Sequence, residues 1–342
     1  MGTQYALAVS SCSAALFLAL KSLSLPQNAR VLMPAFTFAA VPSSVVHANF
    51  TPVLCECGED YRLDLKDFKK KIKSVDAVLI SHMRGHTSDM DIILSECKQA
   101  NIPLIEDAAH SLGTTWHGKK IGTLGDIGCF SFQSYKMLNA GEGGIFITDD
   151  PELFAKAVIM SGAYEHNWMK HQGDQVYFKK WQNKLPLYNL RMNNLSAALI
   201  NAQLPELGSR VQKGRLNHDF TTERLDKSPW ISVPAKLEPE QRAPDSIQFN
   251  LVDMSSTEID LFEEITSGSG LNVQIFGRTK NNARAFWNWQ FLPETFELPK
   301  TRKMLMTACD VRLPSRLNLE ECEAISDVIL SAIMTIKSGV AG

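Results

Sequence analysis

The sequence predicts an α/β fold: a mostly parallel central sheet with helices on both faces, followed by a smaller C-terminal α+β domain. Short apolar runs alternate with helical segments through the first two thirds of the chain, the pattern of strands buried on both faces and joined by crossover helices. The rhythm then changes at Gly125–Thr148, where two apolar runs stand side by side around a glycine-rich loop. At 342 residues the chain can bury a large core, and a second domain or lobe is ordinary at this size.

Tyr5–Val9 reads as a strand and Ser13–Ser22 as the helix after it. Val31–Met33 is a strand ended by Pro34, Ala39–Asn49 a helix, and Thr51–Leu54 the next strand. Asp64–Lys71 and Met90–Ala100 follow as helices, separated by a strand at Ala77–Ile80. Ile102–Glu106 is a buried strand whose end delivers Asp107. Gly125–Phe132 and Gly144–Thr148 are expected to be adjacent strands with Lys136 in the loop between them, where Gly141, Gly143 and Gly144 permit a tight or closely approaching backbone.

Ser161–Leu190 has weak periodicity and is expected to be a long loop, and Leu195–Gln212 is a strong helical pattern. The large domain is assigned to residues 1–215 and the smaller one to 216–342. Within the smaller one, Ile247–Val252 and Leu271–Ile275 are strand-like and Ser256–Thr266 is helix-like. A closing helix runs from Leu319 to about Met334, capped by Asn318 with Glu321 three residues on. Gly339–Gly342 is expected to be disordered.

The net charge of -2 arises from 35 basic and 37 acidic residues without long blocks of either sign, which gives no electrostatic reason to expect nucleic acid or an anionic membrane as partner. Apolar stretches such as Ala14–Leu20 and Val328–Met334 are shorter than a membrane span. Seven scattered cysteines and the absence of a secretory leader suit a reduced, cytoplasmic setting. Cys55 and Cys57 have no matching second pair, and His82 and His86 flank Arg84-Gly85, a composition that suits a turn better than a ligand-bearing helix, so no metal is expected.

Three stretches carry chemistry: Ser11-Cys12-Ser13, Glu106-Asp107-Ala108-Ala109-His110, and Phe130 to Lys136 followed by Gly141-Glu142-Gly143-Gly144. Together they read as a pyridoxal phosphate site. Such a site needs a lysine to hold the aldehyde and shuttle a proton, a carboxylate to keep the pyridine nitrogen protonated, donors for the phosphate, and a flat group against the ring. Lys136 beside glycine-rich backbone suits the first task and Asp107 at the mouth of a buried strand the second. Ser11 and Ser13 at a helix start can offer donors to a phosphate.

In these motifs the chain resembles the DegT/DnrJ/EryC1/StrS family of pyridoxal phosphate-dependent sugar aminotransferases, from Gly2-Thr3-Gln4-Tyr5-Ala6 through Leu204 and more loosely to the end, most strongly over Ile105–Thr148. The resemblance implies fold type I and a homodimer with shared active sites. It implies that Lys136 is the Schiff-base lysine, that Asp107 partners the pyridine nitrogen, and that His110 stands where the family usually has Gln beside the ring hydroxyl. Phe38 matches the aromatic against the ring, Ser131 and Ser13 match phosphate-binding residues, and Asn189 matches an asparagine that reaches the phosphate of the neighbouring subunit. Arg191 reads as structural, tying the loop down.

Three departures stand out. Cys12 replaces the usual Gly and adds a side chain near the cofactor phosphate. Met1 stands where the family ordinarily has several tens of preceding residues, so the N-terminal arm is expected to be missing. On the substrate side, Ser81 to His86 is more basic than usual; Arg84 is a candidate to meet a carboxylate, or else to form an internal salt bridge, and His86 is a second substrate candidate. The run Phe276-Gly277-Arg278, with Trp287 and Trp289, also departs from the usual pattern.

The activity so implied is transfer of an amino group from glutamate or glutamine to a keto sugar, nucleotide-linked or carboxylated, in amino-sugar biosynthesis. Sugar dehydration on the same frame is the alternative within enzymes, but dehydrating relatives replace the lysine by histidine. A cofactor-binding regulatory or non-catalytic homologue is the alternative outside them.

Overall fold

In the computed structural model, which describes residues 1–292 and 294–339, the first half of the chain winds a seven-stranded sheet. Its elements in chain order are β1 (Tyr5–Val9), α1 (Cys12–Ser22), β2 (Arg30–Pro34), α2 (Ala40–His47), β3 (Thr51–Cys55), α3 (Leu65–Lys71), β4 (Ala77–Ser81), α4 (Met90–Ala100) and β5 (Leu104–Asp107). A short ribbon, β6 (Thr115–Trp116) and β7 (Lys119–Lys120), precedes β8 (Ile127–Ser131) and β9 (Gly144–Thr148). The strand order is β1-β9-β8-β5-β4-β2-β3. Five strands, β3, β2, β4, β5 and β8, pair in parallel, whereas β9 runs antiparallel to both β8 and β1.

The sheet is buried on both faces, as the near-continuous apolar strands require. Val31 and Met33 of β2 face one apolar cluster together with Leu79 of β4, while Leu32, Val78 and Ile80 face the other. Helix starts follow local chemistry: Asp64, Asp89 and Asp150 each accept hydrogen bonds from the first-turn amides of the helix they precede.

The consequence for function is geometric. Because β1 and β8 both oppose β9, they run in the same direction as the parallel strands, so the C-terminal ends of β1, β2, β4, β5 and β8 all open on one edge. That edge is where α/β sheets bind ligands.

Two expectations are corrected in the middle of the chain. The supposed long loop 161–190 is preceded by α5 (Pro151–Met160) and contains a 3-10 turn at Asn167–Lys170 and α6 (Gln175–Trp181). Its aromatic residues are packing groups: Trp168 and Phe178 stack with ring centroids 5.1 Å apart, and Phe178 meets Phe154 of α5 edge-on. The helical pattern at 195–212 is two helices, α7 (Asn194–Gln203) and α8 (Leu207–Leu225), separated by a 3-10 turn that holds Pro205. Proline has no amide hydrogen and cannot continue the ladder.

Helix α8 runs unbroken through residues 215 and 216, the expected domain boundary. The remaining elements are β10 (Ile231–Ser232), β11 (Glu240–Gln241), β12 (Ser246–Leu251), α9 (Ser256–Gly268), β13 (Gln274–Ile275), α10 (Pro299–Thr307), β14 (Ala308–Arg312) and α11 (Leu319–Lys337). Four of them form an antiparallel sheet in the order β10-β12-β14-β13, with its own apolar cluster spanning Leu225 to Ile336. Strand β11 instead pairs with β6 and joins this part of the chain to the β6–β7 ribbon in a separate three-stranded sheet. Asn318 and Glu321 form the expected capping box at the start of α11. The disorder expected at Gly339–Gly342 lies, past Gly339, outside the described residues.

Candidate active site

A cavity of about 770 Å³ opens at the C-terminal edge of the sheet. Ser11, Cys12, Ser13, Phe38, Arg84, Asp107, His110, Ser131 and Lys136 all line it, so nine of the sequence-derived candidates are brought together.

Lys136 is presented by the β8–β9 connection, a hairpin cross-braced by its own backbone. Phe132 N–H donates to Gly143 O (2.9 Å), Ser134 N–H to Gly141 O (3.1 Å) and Ala140 N–H to Phe132 O (2.8 Å). Gly144, at the start of β9, lies against the N-terminus of α1: a Cβ there would fall 2.4 Å from the Ser11 carbonyl. Only glycine lets the strand carrying one half of the motif pack this closely on the turn carrying the other.

Lys136 Nζ lies 2.9 Å from His110 Nε2. Burial lowers its pKa from the ordinary 10.5 to about 8, against the opposing pull of Asp245 and Asp107. Burial also pushes the His110 pKa well below its usual value, with the Lys136 charge as the next cause, so His110 is neutral at Lys136's working pH. A buried, partly deprotonated amine is what nucleophilic attack on a carbonyl requires.

Asp107 ends β5 and is buried. Ser81 Oγ–H donates to its Oδ2 (2.7 Å), Ala109 N–H donates to its Oδ1 (3.1 Å), and Thr37 Oγ1–H donates in turn to Ser81 (2.9 Å). This relay fixes the carboxylate plane and leaves lone pairs for one more donor. Ser81 and Thr37 were not singled out from sequence; their position at the ends of β4 and β2 is the only signal that marks them.

Ser11 is the N-cap of α1, its Oγ accepting from Ala14 N–H at 3.1 Å, so the free amides and positive end of the helix face the cavity beside Ser13. Ser131 accepts from Gln133 N–H (3.3 Å) at the end of β8. Cys12 Sγ sits 3.8 Å from Asp107 Oδ1, and burial followed by the Asp107 charge raises its thiol pKa well above normal. Cys12 is therefore a packed thiol rather than a nucleophile. Phe38 stands 45% exposed in the cavity wall, with the Arg284 guanidinium 5.6 Å from its ring centroid.

These groups fit pyridoxal phosphate: a buried amine of lowered pKa, a fixed carboxylate, a capped helix N-terminus with serine hydroxyls, and an exposed aromatic ring.

Two candidates fall elsewhere. His86 does not line the cavity. The left-handed Arg84 and Gly85 turn the chain back, and His86 is buried against Tyr61, its Nε2 2.8 Å from Gln248 Oε1. Asn189 is exposed on the segment tied to β1, where Ser10 N–H donates to Leu190 O (2.8 Å), and it is not part of this chain's cavity wall. Arg191 is structural as expected, donating to Gly162 O.

Arg84 is both cavity-lining and salt-bridged, its Nη2 held by Asp310 of β14. Gln248 Nε2–H donates to the other oxygen of Asp310 (2.7 Å). Arg278 pairs with Asp260, Trp287 lies 4.2 Å from the Arg302 guanidinium, and Trp289 donates to Ala283 O, so this run is mostly structural. The charged cavity residues that sequence reading missed are Arg284, Asp310 and Arg312, which come from the smaller sheet and its loops.

The model of the DegT/DnrJ/EryC1/StrS aminotransferase family matches residues 1–330, and the chain belongs to that family. It is 32% identical over 235 residues to GDP-perosamine synthase of Escherichia coli O157:H7, covering 68% of this chain and 62% of that protein. It is 34% identical over 214 residues to the Vibrio cholerae GDP-perosamine synthase, covering 62% of this chain and 56% of that one. The chain thus matches less than two thirds of the length of these relatives. Among solved structures, Helicobacter pylori PseC, an aminotransferase involved in the biosynthesis of pseudoaminic acid, superposes with a TM-score of 0.86 at 19% identity, covering 98% of this chain and 88% of that one. At that identity the likeness speaks for the fold, a fold-type I α/β arrangement.

Proposed function

We propose that this member of the DegT/DnrJ/EryC1/StrS aminotransferase family binds pyridoxal phosphate and transfers an amino group from glutamate or glutamine to a keto sugar in amino-sugar biosynthesis. The observation that carries the reading is Lys136: a buried amine of lowered pKa, 2.9 Å from His110 and in one cavity with Asp107. In this reading residues 1–215 hold the cofactor and residues 216–342 close the substrate side.

When bound, the cofactor supplies an aldehyde for the amine and a ring that delocalises the electron pair left when a proton leaves the substrate Cα. Asp107 accepts a hydrogen bond from the ring nitrogen and keeps its proton in place. The α1 N-terminus with Ser11, Ser13 and Ser131 holds the phosphate, with the Cys12 amide at the same turn, and Phe38 packs against the ring. His110, neutral, hydrogen-bonds beside the ring hydroxyl. Lys136 Nζ would take the Cα proton of the donor and hand it to the carbon on the other side of the transferred nitrogen, and for the acceptor would run the same transfer in reverse.

A homodimer completes the site in this proposal. Leu195 and Leu199 on α7, with Leu187 before it and Leu204 just after it, expose large apolar side chains in the same stretch of chain as exposed Asn189. A second copy covering this patch would carry Asn189 toward the partner's phosphate site. In this proposal the enzyme lies in the cytoplasm, where its seven free cysteines would stay reduced; among the described residues no helix is long and apolar enough to cross a membrane.

The test is direct. Purified protein mixed with pyridoxal phosphate should gain a visible absorbance band, lose it on borohydride reduction, and carry the reduced cofactor on a Lys136 peptide. L-Glutamate should then bleach the band and yield 2-oxoglutarate. Labelling at another lysine, or a band that no amino donor changes, sinks the proposal.

A further inference from the structure

The cavity wall brings together the guanidinium groups of Arg84, from the turn after β4, and of Arg284 and Arg312, from the smaller sheet and its loops. Two carboxylates meet them: Asp310 holds Arg84, and Asp245 lies 3.2 Å from Arg312. Arg284 pairs with no carboxylate among the described residues. Its Nη1–H donates to Gln274 Oε1 (3.1 Å), and its guanidinium stands 5.6 Å from the ring centroids of Phe38 and Phe276. Nε of Arg84, Nε of Arg284 and Nη1 of Arg312 are all buried without an acceptor.

Three cations against two anions leave one positive charge uncompensated, and a buried unpaired charge is costly unless something completes it. Burial, with the Arg84 charge next and the Asp310 charge opposing, lowers the Arg284 pKa from 12.5 to about 10. All three arginines also act on His110, alongside Lys136, so their field converges beside the reacting amine.

From this arrangement we infer that Arg284, flanked by Arg84 and Arg312, forms a subsite for a single substrate carboxylate carried close to the reacting carbon. The planar fork of arginine suits a carboxylate taken in bidentate fashion, and a charge deficit of one matches one carboxylate better than a diphosphate. The inference rests on the aminotransferase reading. In that reading donor and acceptor occupy the same cavity in turn, so each meets the same unpaired guanidinium. A neutral acceptor would leave it buried and unpaired; a carboxylated keto sugar satisfies it as the amino acid does.

The test uses the cofactor-loaded protein, with loading checked by absorbance. Succinate, which cannot react, is titrated calorimetrically into wild type, Arg284→Gln, Arg284→Lys, Arg312→Gln and the exposed-site control Lys303→Gln. Succinate binding should weaken about 30-fold or more in Arg284→Gln, as for loss of one partner of a buried charge pair, recover in part in Arg284→Lys, and stay unchanged in the control. Equal affinity in wild type and Arg284→Gln, or tighter binding of inorganic pyrophosphate than of succinate, overturns the subsite.

Single-turnover arms separate the two sources of carboxylate. L-Glutamate should react far faster than 4-aminobutyrate, which lacks the α-carboxylate, and the aminated protein should prefer a keto uronate to its neutral keto hexose. A preference confined to the donor arm overturns the claim about the acceptor. Failure to take up cofactor at Lys136 would instead defeat the functional reading itself, whatever succinate does.

Discussion

The two walls of the cavity are built on opposite plans. The wall at the strand ends is fixed by backbone: Lys136 rides a cross-braced hairpin, Asp107 is clamped by Ser81 and the Ala109 amide, and Ser11 caps a helix wedged against Gly144. The facing wall is made of long side chains, Arg284 and Arg312 from the smaller sheet and its loops joined by Arg84 from the turn after β4, with buried donors left unsatisfied on all three. Satisfied groups hold a constant partner and unsatisfied ones await a variable partner, so the contrast separates the part that defines the chemistry from the part that selects the substrate.

Removing the reacting group tests the fixed wall most severely. Lys136→Ala should lower amino transfer by about 10³-fold or more and abolish borohydride-stable labelling, since in the proposed function one residue performs both the bonding and the proton transfer. Asp107→Asn should retain cofactor uptake while slowing the half-reaction with L-glutamate about 10²-fold to 10³-fold in single-turnover kinetics, because a charge opposite the ring nitrogen is lost. Similar half-reaction rates in the two proteins would reduce Asp107 to a turn cap.

The backbone character of that wall is tested by Gly144→Ala. The added methyl meets the Ser11 carbonyl at 2.4 Å, and the strain should destabilise the protein by about 1–3 kcal/mol in thermal or urea unfolding and weaken cofactor retention with it. Unchanged stability and retention would mean that the hairpin is more pliant than its hydrogen bonding implies.

A pH series sharpens the same point. With a Lys136 pKa near 8, lowered from 10.5, the neutral amine is the minor form at pH 7 and half the population at pH 8. Labelling of the cofactor-free protein by an amine-reactive reagent should therefore rise about fivefold at Lys136 between pH 7 and pH 8, by the ordinary titration of an amine. A midpoint near that of surface lysines would mean that burial does not depress it. The smallest effect belongs to the far side of the molecule: Asn318→Ala removes the cap of α11 and should cost about 1 kcal/mol of stability while leaving cofactor binding alone.

The legible part of this site is the contiguous part. Lys136, Asp107, His110, Ser131 and the glycines fall within one stretch, and the strand that ends at Asp107 and the hairpin that carries Lys136 are both visible as local apolar periodicity and turn composition. Ser11–Ser13 could be read because a helix start is a local event. Less could be read where one residue's role depends on a distant one. His86 looked like a ligand-side residue, yet Gln248, 162 positions away, buries it. Pro205 split a helix whose apolar pattern reads as continuous, and the aromatic run after α5 proved to be packing because Phe154 lies beneath it.

By itself the sequence determined the alternation of strand and helix and the cofactor motif, and it singled out Lys136 as the proposed reacting amine, because each rests on short-range spacing that hydrophobic burial and turn geometry translate directly into structure. Tertiary structure alone decided that Arg84 meets Asp310 across 226 positions, that Arg312 and Arg284 join it, and that one positive charge is left over at the cavity wall. The physical reason is that a charge has no meaning until its neighbours are placed: the balance of a buried cluster depends on distances and desolvation, and neither is written in the order of residues along the chain.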